Sequence, residues 1–576
     1  MSKATENLPQ RLLEYTVSQD YSLYTDIDQA VWRYIMKISV PFFEKHAHDS
    51  YVKGLEMTGI PIDHIPRVEG MDKRLDNYNW GAVTVKGFIP PIIFMEFLSR
   101  KVLPIAVDIR TNEHITYTPA PDIIHEAAGH APIIADNDYA EYLSLYGKIA
   151  RKAIQSKKDS KQYEIIRKLS NIKENPNADP TELAEIEKEF ERISAENYWV
   201  SEANELSKMN WWTIEYGLIG NIGNPKIYGA GLLSSISESQ ECLETKIKKI
   251  PISIDCIQQD YNITEPQPQL FVTKSFKDLK KILNTYSETM AYKTGGKSGI
   301  EKAINSKNIT TTVYNSGLQI SGIIKDYISS DNDEIIYLNY DKNVQLSYNS
   351  HEINGHGTEY HSEGYGAALG ILSKVSLPIH KLNKKELLSL GIKERNEVSL
   401  KFSSGLVVSG LIKNIHILND IPILISLKNC SVIFKDKYLF KPEWGTYDLA
   451  CGSKIKSVFG GPADWDNYYK NKMNSPSIPH QTTNLNKENV ELNELYKEVR
   501  ILRENNNPPS DYLPILKKLY NKYPDDWLLC TEIYQEIQYE STLIKEKKEL
   551  IDYIKSFTKN KTLCDVINRF ISLVDS

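Results

Sequence analysis

The sequence has few features of secreted, membrane-spanning or nucleic-acid-binding proteins. Its six cysteines are scattered over 576 residues without a C-x-x-C pair, so we expect reduced thiols in the cytoplasm rather than a disulfide framework. No apolar run reaches the roughly 18 residues that a spanning helix needs, and the opening MSKATENLPQRLLEY lacks the apolar core of a signal peptide. The formal net charge of −6 gives no electrostatic reason to expect nucleic acid or a membrane as partner.

The pattern of residues changes twice along the chain and predicts three regions. Residues 1–295 show mainly helical periodicity, with a charged helical insertion at about 139–208. Short alternating runs separated by turn residues predict a β-rich domain over 296–480. Residues 481–576 return to helical periodicity. No motif gives a function to the last two regions, for which we expect packing or protein contacts.

The stretch PDIIHEAAGH (121–130) holds two histidines five residues apart, His125 and His130, with Glu126 between them. Positions five apart on a regular α-helix differ by about 140° around the axis, so two imidazoles there cannot easily share one ion. They can share it if His125 stands at the entrance of the helix or if the helix widens into a π-bulge. The spacing is therefore consistent with one metal ion at a distorted short helix.

A third ligand is needed to complete such a site, and Glu215 is the candidate. It lies in the apolar stretch MNWWTIEYGLI (209–219), predicted to be a short buried helix, where a carboxylate is costly unless it is paired or metal-bound. Two histidines and a carboxylate form the facial triad of non-haem iron(II) oxygenases, and the same set also serves catalytic zinc. The ligand types alone do not separate these two metals.

The same H-E-x-x-x-H pattern recurs at His351–His356, within SHEINGHGTEYHSEGYG, and His361 follows it. Gly355 and Gly357 disfavour a regular helix, which predicts a long loop between strands, where histidines are often solvated. No carboxylate-bearing helix like that around Glu215 follows. We therefore expect one metal per chain, at the first pattern.

Five segments, in order, resemble the pterin-dependent aromatic amino acid hydroxylases. YTPAPDIIHEAAGH, NWWTIEYG and YGAGLLSS (228–235) resemble the family's metal-binding and neighbouring segments. GFIPPIIF (87–94) resembles its pterin loop, and EPQPQLFVTKSF (265–276) resembles a fifth segment. The resemblance covers about residues 50–295. It implies a mainly α catalytic domain with small β elements, followed here by the β-rich and helical regions.

The resemblance implies Fe(II), a tetrahydropterin, O₂ as co-substrate and a small aromatic amino acid as substrate. By motif position, the iron ligands are His125, His130 and Glu215. Glu126 is the implied catalytic residue and lines the pterin side. The residues that hold or stack the pterin are Gly87, Phe88, Ile89 and Phe94. The residues at the substrate are Arg110 for its carboxylate, Thr118, Pro119 and Trp211 at its border, Val272, and Ser234, which orients His125.

Trp211 and Val272 bear on the choice of substrate. Trp211 is the residue type found in family members that act on phenylalanine or tyrosine, and Val272 stands where those acting on tyrosine carry an aspartate. An apolar residue leaves a phenol hydroxyl without a partner, which costs about 1–3 kcal/mol when buried. We therefore expect phenylalanine as the substrate and tyrosine as the product.

Three departures from the family pattern leave the ligands in place. Ala120 stands where the family usually has a glutamate, Asn210 replaces a tyrosine, and the insertion at 139–208 lengthens the stretch between His130 and Glu215. The residues before about 50 leave no room for the family's regulatory domain, so activation through such a domain is not expected.

Two other functions fit part of the sequence. In a zinc metallopeptidase, HEAAGH and a downstream glutamate would bind zinc with Glu126 as general base. That hypothesis leaves YGAGLLSS and TPAPD unexplained. In a scaffold protein, the C-terminal regions would carry the main function and the metal site would be vestigial. The complete set of metal ligands argues against this hypothesis.

Overall fold

The computed structural model describes residues 2–87, 89–116, 121–173, 179–196, 199–262, 266–470 and 487–574. The first part of the chain is largely helical. Its α-helices are α1 (Gln10–Leu13), α2 (Asp26–His46), α3 (Tyr51–Thr58), α4 (Val68–Leu75), α5 (Pro91–Ser99), α6 (Asn137–Ala150), α7 (Lys157–Lys173), α8 (Pro180–Ala195), α9 (Glu202–Asn210), α10 (Ala230–Leu233), α11 (Glu238–Glu241), α12 (Phe276–Ser287), α13 (Ala291–Thr294) and α14 (Gly296–Ser306).

Two small sheets lie among these helices. Their strands are β1 (Gly81–Val85), β2 (Val102–Ala106), β3 (Leu218–Asn221), β4 (Asn224–Ile227), β5 (Lys248–Pro251) and β6 (Gln269–Thr273). β1 and β2 pair in parallel, joined through α5, and the second sheet has the order β4-β3-β6-β5. Gly87, the first residue of the GFIPPIIF segment, thus lies between the end of β1 and the start of α5.

Short-range signals explain where several helices begin. Thr25 and Asp28 form a capping box at the start of α2, in which each side chain accepts from the other residue's backbone N–H. Asp179 caps α8 within the insertion, where its side chain accepts from the Thr181 N–H. The predicted helical insertion contains most of α6 and α9 and all of α7 and α8, which pack against each other as a hairpin.

The later part of the chain is rich in β-structure, as its alternating runs predicted. Its strands are β7 (Thr310–Tyr314), β8 (Leu318–Gly322), β9 (Ile324–Ser329), β10 (Ile335–Tyr340), β11 (Gln345–Tyr348), β12 (His351–Glu352), β13 (Tyr365–Ala368), β14 (Glu397–Lys401), β15 (Val407–Leu418), β16 (Ile421–Phe434), β17 (Lys437–Phe440), β18 (Tyr447–Ala450) and β19 (Ile455–Gly460). They form sheets of the order β13-β10-β9, β12-β11-β8-β7-β19 and β14-β15-β16-β17, with β18 also on β16. Two apolar clusters fill this region.

The remaining helices are α15 (Lys384–Ser389), α16 (Trp465–Tyr469), α17 (Lys487–Glu504), α18 (Leu513–Lys522), α19 (Trp527–Ile537), α20 (Ile544–Ser556) and α21 (Lys561–Val574). The last five do not form a core of their own. They pack on α2, and their apolar side chains belong to the same buried cluster as those of the first region. The C-terminal helices thus complete the first region rather than follow it as an independent unit.

Among the described residues, no helix combines the length and apolar character needed to cross a membrane.

Candidate metal centre

Two π-helices carry the three predicted metal ligands. The first spans Ile124–His130 and the second spans Trp211–Glu215. In the second, the Tyr216 N–H donates to the carbonyl of Trp211 at 2.8 Å, five residues back. This wider turn brings residues five apart to nearly the same face, which resolves the spacing of His125 and His130. The helix predicted over 209–219 differs in its end, because the π-helix stops at Glu215 and β3 begins at Leu218.

The structure brings the ligand atoms of His125, His130 and Glu215 together. The Nε2 atoms of the two histidines are 3.3 Å apart. Glu215 Oε2 lies 3.3 Å from His125 Nε2, and Glu215 Oε1 lies 3.6 Å from His130 Nε2. The His130 side chain is buried, whereas those of His125 and Glu215 keep 16% and 15% of their surface exposed. One side of this triad is therefore open.

The protonation states of these three side chains suit a divalent cation. Burial would raise the pKa of Glu215, but His130 and His125 outweigh it and lower that pKa to about 2, so the carboxylate is ionised. Burial would lower the pKa of His125, but the hydrogen bond to Glu215 and its charge raise it to about 9. Burial lowers the pKa of His130 to about 4. The neutral imidazole of His130 and the carboxylate of Glu215 can both bind a divalent metal. That metal would replace the proton on His125, so that the second imidazole could bind it as well.

The side chains of Ser234 and Asn210 hold two of the predicted metal ligands in place. The Ser234 hydroxyl donates to the carbonyl of Ala230 at 2.8 Å and lies 3.1 Å from His125 Nδ1. It therefore accepts from the Nδ1–H of His125, which leaves the Nε2 lone pair for a metal. Asn210 Nδ2 donates to Glu215 Oε1 at 3.3 Å. The sequence marked Asn210 only as a departure, and nothing in its spacing alone identified this contact.

Close backbone approach explains the glycines around the triad. A Cβ on Gly129 would lie 2.7 Å from the carbonyl oxygen of Ala230, and one on Gly229 would lie 2.4 Å from that of Glu215. Both distances are too short for a side chain. The small residues of YGAGLLSS therefore let α10 contact both π-helices and bring Ser234 to His125.

Of the predicted pterin residues, Glu126 lies beside the triad. Glu126 is buried, its Oε2 lies 3.9 Å from His130 Nε2, and that oxygen has no hydrogen-bond partner among the described residues. Burial raises the pKa of Glu126 to about 8. Gly87 has φ +60, and a Cβ there would meet no atom within 4 Å. Ile89 and Phe94 are partly buried against neighbouring apolar clusters.

Arg110 is held by Asp122, a pairing that the sequence did not predict. Its Nε and one Nη2 hydrogen donate to the two carboxylate oxygens of Asp122 at 2.8 and 2.9 Å. One Nη1 hydrogen donates to the carbonyl of Ser234 at 3.1 Å. A guanidinium has five N–H donors, so one donor on each Nη stays free of these contacts. Asp122 also accepts from the His125 N–H and so links Arg110 to the first π-helix.

Trp211 lies in a stack of three rings. Its faces pack on Tyr216 and Tyr261 at centroid distances of 4.5 and 4.4 Å. These two rings cover the faces of Trp211, so a bound molecule would contact the edge of its ring. The role predicted for Trp211 at the substrate is therefore limited to an edge contact. Val272 is buried in β6 and pairs with Leu218, three residues after Glu215.

Three predicted site residues lie outside the described residues: Phe88, Thr118 and Pro119. Ala120, one of the departures, lies outside them as well.

The second histidine pattern differs from its prediction. It does lie largely in a loop, between β12 and β13, but His356 and His361 are buried rather than solvated. Asp448 of β18 supplies the carboxylate that the sequence nearby lacked, and its ligand atom lies within 4.8 Å of those of the two histidines. His351, the first histidine of the pattern, is exposed.

Comparisons with known proteins show which family the region around the first triad is similar to. The model of the family described as "Biopterin-dependent aromatic amino acid hydroxylase" matches residues 11–162 and 181–297. The gap falls on the hairpin of α7 and α8. The metallopeptidase alternative finds no support among these matches.

Three relatives are phenylalanine-4-hydroxylases. That of Mesorhizobium japonicum is 28% identical over 276 residues, which cover 47% of this chain and 84% of the relative. That of Pseudomonas aeruginosa is 26% identical over 267 residues, 46% of this chain and 84% of the relative. That of Rattus norvegicus is 27% identical over 273 residues, 46% of this chain and 50% of the relative.

Among solved structures, phenylalanine hydroxylase of Chromobacterium violaceum with bound iron(III) and 7,8-dihydrobiopterin matches with a TM-score of 0.38 and 24% identity. The match covers 48% of this chain and 85% of that one. The resemblance predicted from the five motifs is confirmed by the family match and the curated relatives. Residues 11–162 and 181–297 are similar in sequence to the biopterin-dependent aromatic amino acid hydroxylases.

Proposed function

We propose that this protein is an iron(II)- and tetrahydropterin-dependent monooxygenase that converts phenylalanine to tyrosine with O₂. The observation that carries the proposal is the triad of His125, His130 and Glu215, whose ligand atoms meet at 3.3–3.6 Å with one side open. Two histidines and one carboxylate with open positions are the ligand set of non-haem iron(II) oxygenases.

The residues around the triad fit both cofactors. His125, His130 and Glu215 would hold the iron, with Ser234 and Asn210 fixing the orientation of two of these ligands. The pterin would lie beside Gly87, where the backbone leaves open space, and near the unpaired oxygen of Glu126. Iron and reduced pterin, when bound, supply the oxygen chemistry that amino acid side chains lack.

The protein's own part is to hold the amino acid in one orientation. The two free Nη donors of Arg110 can bind the substrate carboxylate as a pair, the geometry that suits a guanidinium. Asp122 fixes the plane of that guanidinium through two hydrogen bonds. Holding one end of the substrate in this way limits which ring carbon can face the metal.

The residues predicted to surround the aromatic ring of the substrate favour phenylalanine. Trp211, clamped between Tyr216 and Tyr261, makes a rigid wall, and Val272 adds an apolar side chain without a donor or acceptor. A phenol hydroxyl buried beside Val272 would lose its hydrogen bonds with water, at a cost of about 1–3 kcal/mol. This argues against tyrosine as the substrate.

The test is an assay of purified protein loaded anaerobically with Fe(II) and supplied with tetrahydrobiopterin and O₂. Phenylalanine, tyrosine and tryptophan compete in one mixture, and products are separated by chromatography. We expect tyrosine from phenylalanine, with oxygen uptake that depends on the pterin. Glu215→Ala should lose both iron and turnover. A preference for tyrosine or tryptophan would contradict the substrate choice, and zinc with peptidase activity would contradict the class of reaction.

A further inference from the structure

A second cluster of side chains able to bind a metal lies outside the first triad, in the β-rich part of the chain. It consists of His356, His361 and Asp448, called here the second triad. His356 Nδ1 is 3.3 Å from His361 Nε2 and 3.9 Å from Asp448 Oδ2. All three residues are buried. Two imidazole nitrogens and a carboxylate oxygen thus point at one small volume.

Asp448 turns one carboxylate oxygen toward the two histidines. Ser426, its direct neighbour across the β16–β18 ladder, donates to Oδ1. Oδ2 faces the histidines and meets no buried donor among the described residues, and the half-exposed Tyr360 hydroxyl interacts with the carboxylate from the solvent side. A buried carboxylate without a positively charged partner is costly unless a cation meets it.

Among the described residues, no lysine or arginine forms an ion pair with Asp448. Lys413 acts on its charge from a distance, and the Lys413 side chain is exposed to solvent. Imidazole nitrogens and a carboxylate oxygen are ligands that a metal binds in their unprotonated forms.

The second ring nitrogen of His356, Nε2, contacts another histidine. His356 Nε2 lies 3.3 Å from His416 Nε2, which is also 3.0 Å from Asn414 Nδ2. With its proton on Nε2 and donated to His416 Nε2, His356 turns the lone pair of Nδ1 toward Asp448 and His361. This is the arrangement by which a neighbouring group fixes the tautomer of a metal-binding histidine.

The fold brings these residues together from distant parts of the chain. His356 and His361 come from the loop between β12 and β13, in which Gly355 and Gly364 have φ of +81 and +117. The loop is tied to the sheet, since the Leu346 N–H donates to the His356 carbonyl and the Tyr365 hydroxyl donates to the Asp448 carbonyl. A cation at the second triad would add a further link between this loop and β18.

We propose that His356, His361 and Asp448 bind a second metal ion, a divalent first-row transition metal of which zinc is the best match. Zinc accepts histidine nitrogen and aspartate oxygen, and a water can complete four ligands. In sites of nitrogen and oxygen ligands, zinc also binds more tightly than iron(II). The ion cross-links the loop to β18, and His416 positions His356 without binding the metal.

The test measures zinc content of the full-length chain after loading with Zn(II) alone, since the ligand set of the first triad also accepts zinc. The wild type should hold about two zinc ions. Asp448→Asn should lose one and keep the ion at the first triad, whereas the double variant His125→Ala and His130→Ala should keep the ion at the second triad alone. The matched control is His351→Gln, which changes the exposed histidine of the same pattern and should keep both ions. Failure of the proposed hydroxylase would not alter the zinc result.

A second measurement does not depend on the folding of Asp448→Asn. The double variant His125→Ala and His130→Ala is titrated with Co²⁺, and the visible absorption of the bound ion is recorded. We expect saturable uptake of about one Co²⁺, a rise in Tm of several degrees with Zn²⁺, and reversal of both by chelation. If this folded variant takes up no ion at micromolar concentration, the cluster is a hydrogen-bonded histidine chain and the proposal is overturned. Retention of both zinc ions by a folded Asp448→Asn would overturn it as well.

Discussion

At the scale of single residues, side chains that bind no ligand themselves decide how the site works. Asp122 takes two of the five donors of Arg110, and Asn210 donates to Glu215. Neither contact follows from the spacing of the ligands. Both are strong enough to measure, because each involves a charged group in a buried setting.

Asp122→Asn should weaken binding of the amino acid. Loss of the charge loosens the guanidinium of Arg110, and hydrogen bonds to charged groups contribute about 1.5–3 kcal/mol, so we expect KM for the amino acid to rise about 10- to 100-fold. KM for the pterin should change far less. Steady-state kinetics with each substrate varied in turn give the comparison. Asp136→Asn, which keeps a good cap on α6, is the control and should leave both values near those of the wild type. Equal changes in both KM values would argue against a positioning role for Asp122.

Asn210→Ala should lower the affinity for iron. It removes the donor to Glu215 Oε1, and loss of such a contact behind a ligand typically costs 10- to 100-fold in metal affinity. Competition with a chelator of known affinity measures the change. Asn204→Ala on the same helix is the control, since no hydrogen bond from its side chain to the triad is present among the described residues. Unchanged iron affinity in Asn210→Ala would show that the contact is incidental.

At the scale of elements, the site depends on two π-helices and on the short helix α10 that contacts both. The π-helical turn lets His125 and His130 face one ion, and α10 delivers Ser234 to His125. The approach of α10 requires glycine, because backbone atoms occupy the space where a side chain would begin.

Gly129→Ala should separate α10 from the first π-helix. Its Cβ would lie 2.7 Å from the Ala230 carbonyl oxygen, and inserting a methyl group into a packed interior typically costs about 1–3 kcal/mol. We expect a lower free energy of unfolding and weaker iron binding, because Ser234 moves away from His125. Urea unfolding and metal titration measure the two effects.

Gly70→Ala is the matched control for this prediction. Gly70 lies within α4, and a Cβ there would meet no atom within 4 Å. Alanine is a better helix former than glycine by about 1 kcal/mol, so this variant should be neutral or more stable. Equal destabilisation of the two variants would contradict the account of the close approach.

At the scale of the whole molecule, the C-terminal helices cover α2 of the first region. Arg33 on α2 pairs with Glu532 and Glu536 on α19 at 2.7 and 2.8 Å, and Glu532 also pairs with Arg503 on α17. Tyr34 packs edge-on against Trp527. A chain ending near residue 295 would lack these helices, so Arg33 would lose two of its three carboxylate partners and the apolar face of α2 would be uncovered.

Glu532→Gln should destabilise the whole protein. It leaves two arginines without their buried partner, and breaking a buried pair from one side costs about 3–5 kcal/mol. Glu491→Gln is the control, because Glu491 pairs with Lys522 at an exposed site, where a pair contributes about 0–1 kcal/mol. Urea unfolding followed by fluorescence compares the two. A small effect of Glu532→Gln would mean that the C-terminal helices dock through apolar packing alone.

The sequence by itself identified the family resemblance, and it predicted the ligand set of the first triad and the broad division into helical and β-rich regions. These features depend on residues close together in the chain: the ligand motifs are short, and hydrophobic periodicity is local. The π-helical turn at His125 could be predicted because it was one of two ways to let residues five apart share an ion.

Only the tertiary structure decided the rest, because the contacts join residues far apart in the chain. Arg110 meets Asp122 and Ser234, the second triad joins a loop to β18, and Arg33 meets Glu532 across 499 positions. Which charged groups meet depends on how whole elements pack, and no local pattern encodes that. For the same reason, His356 and His361 could be predicted in a loop, whereas their burial beside Asp448 could not.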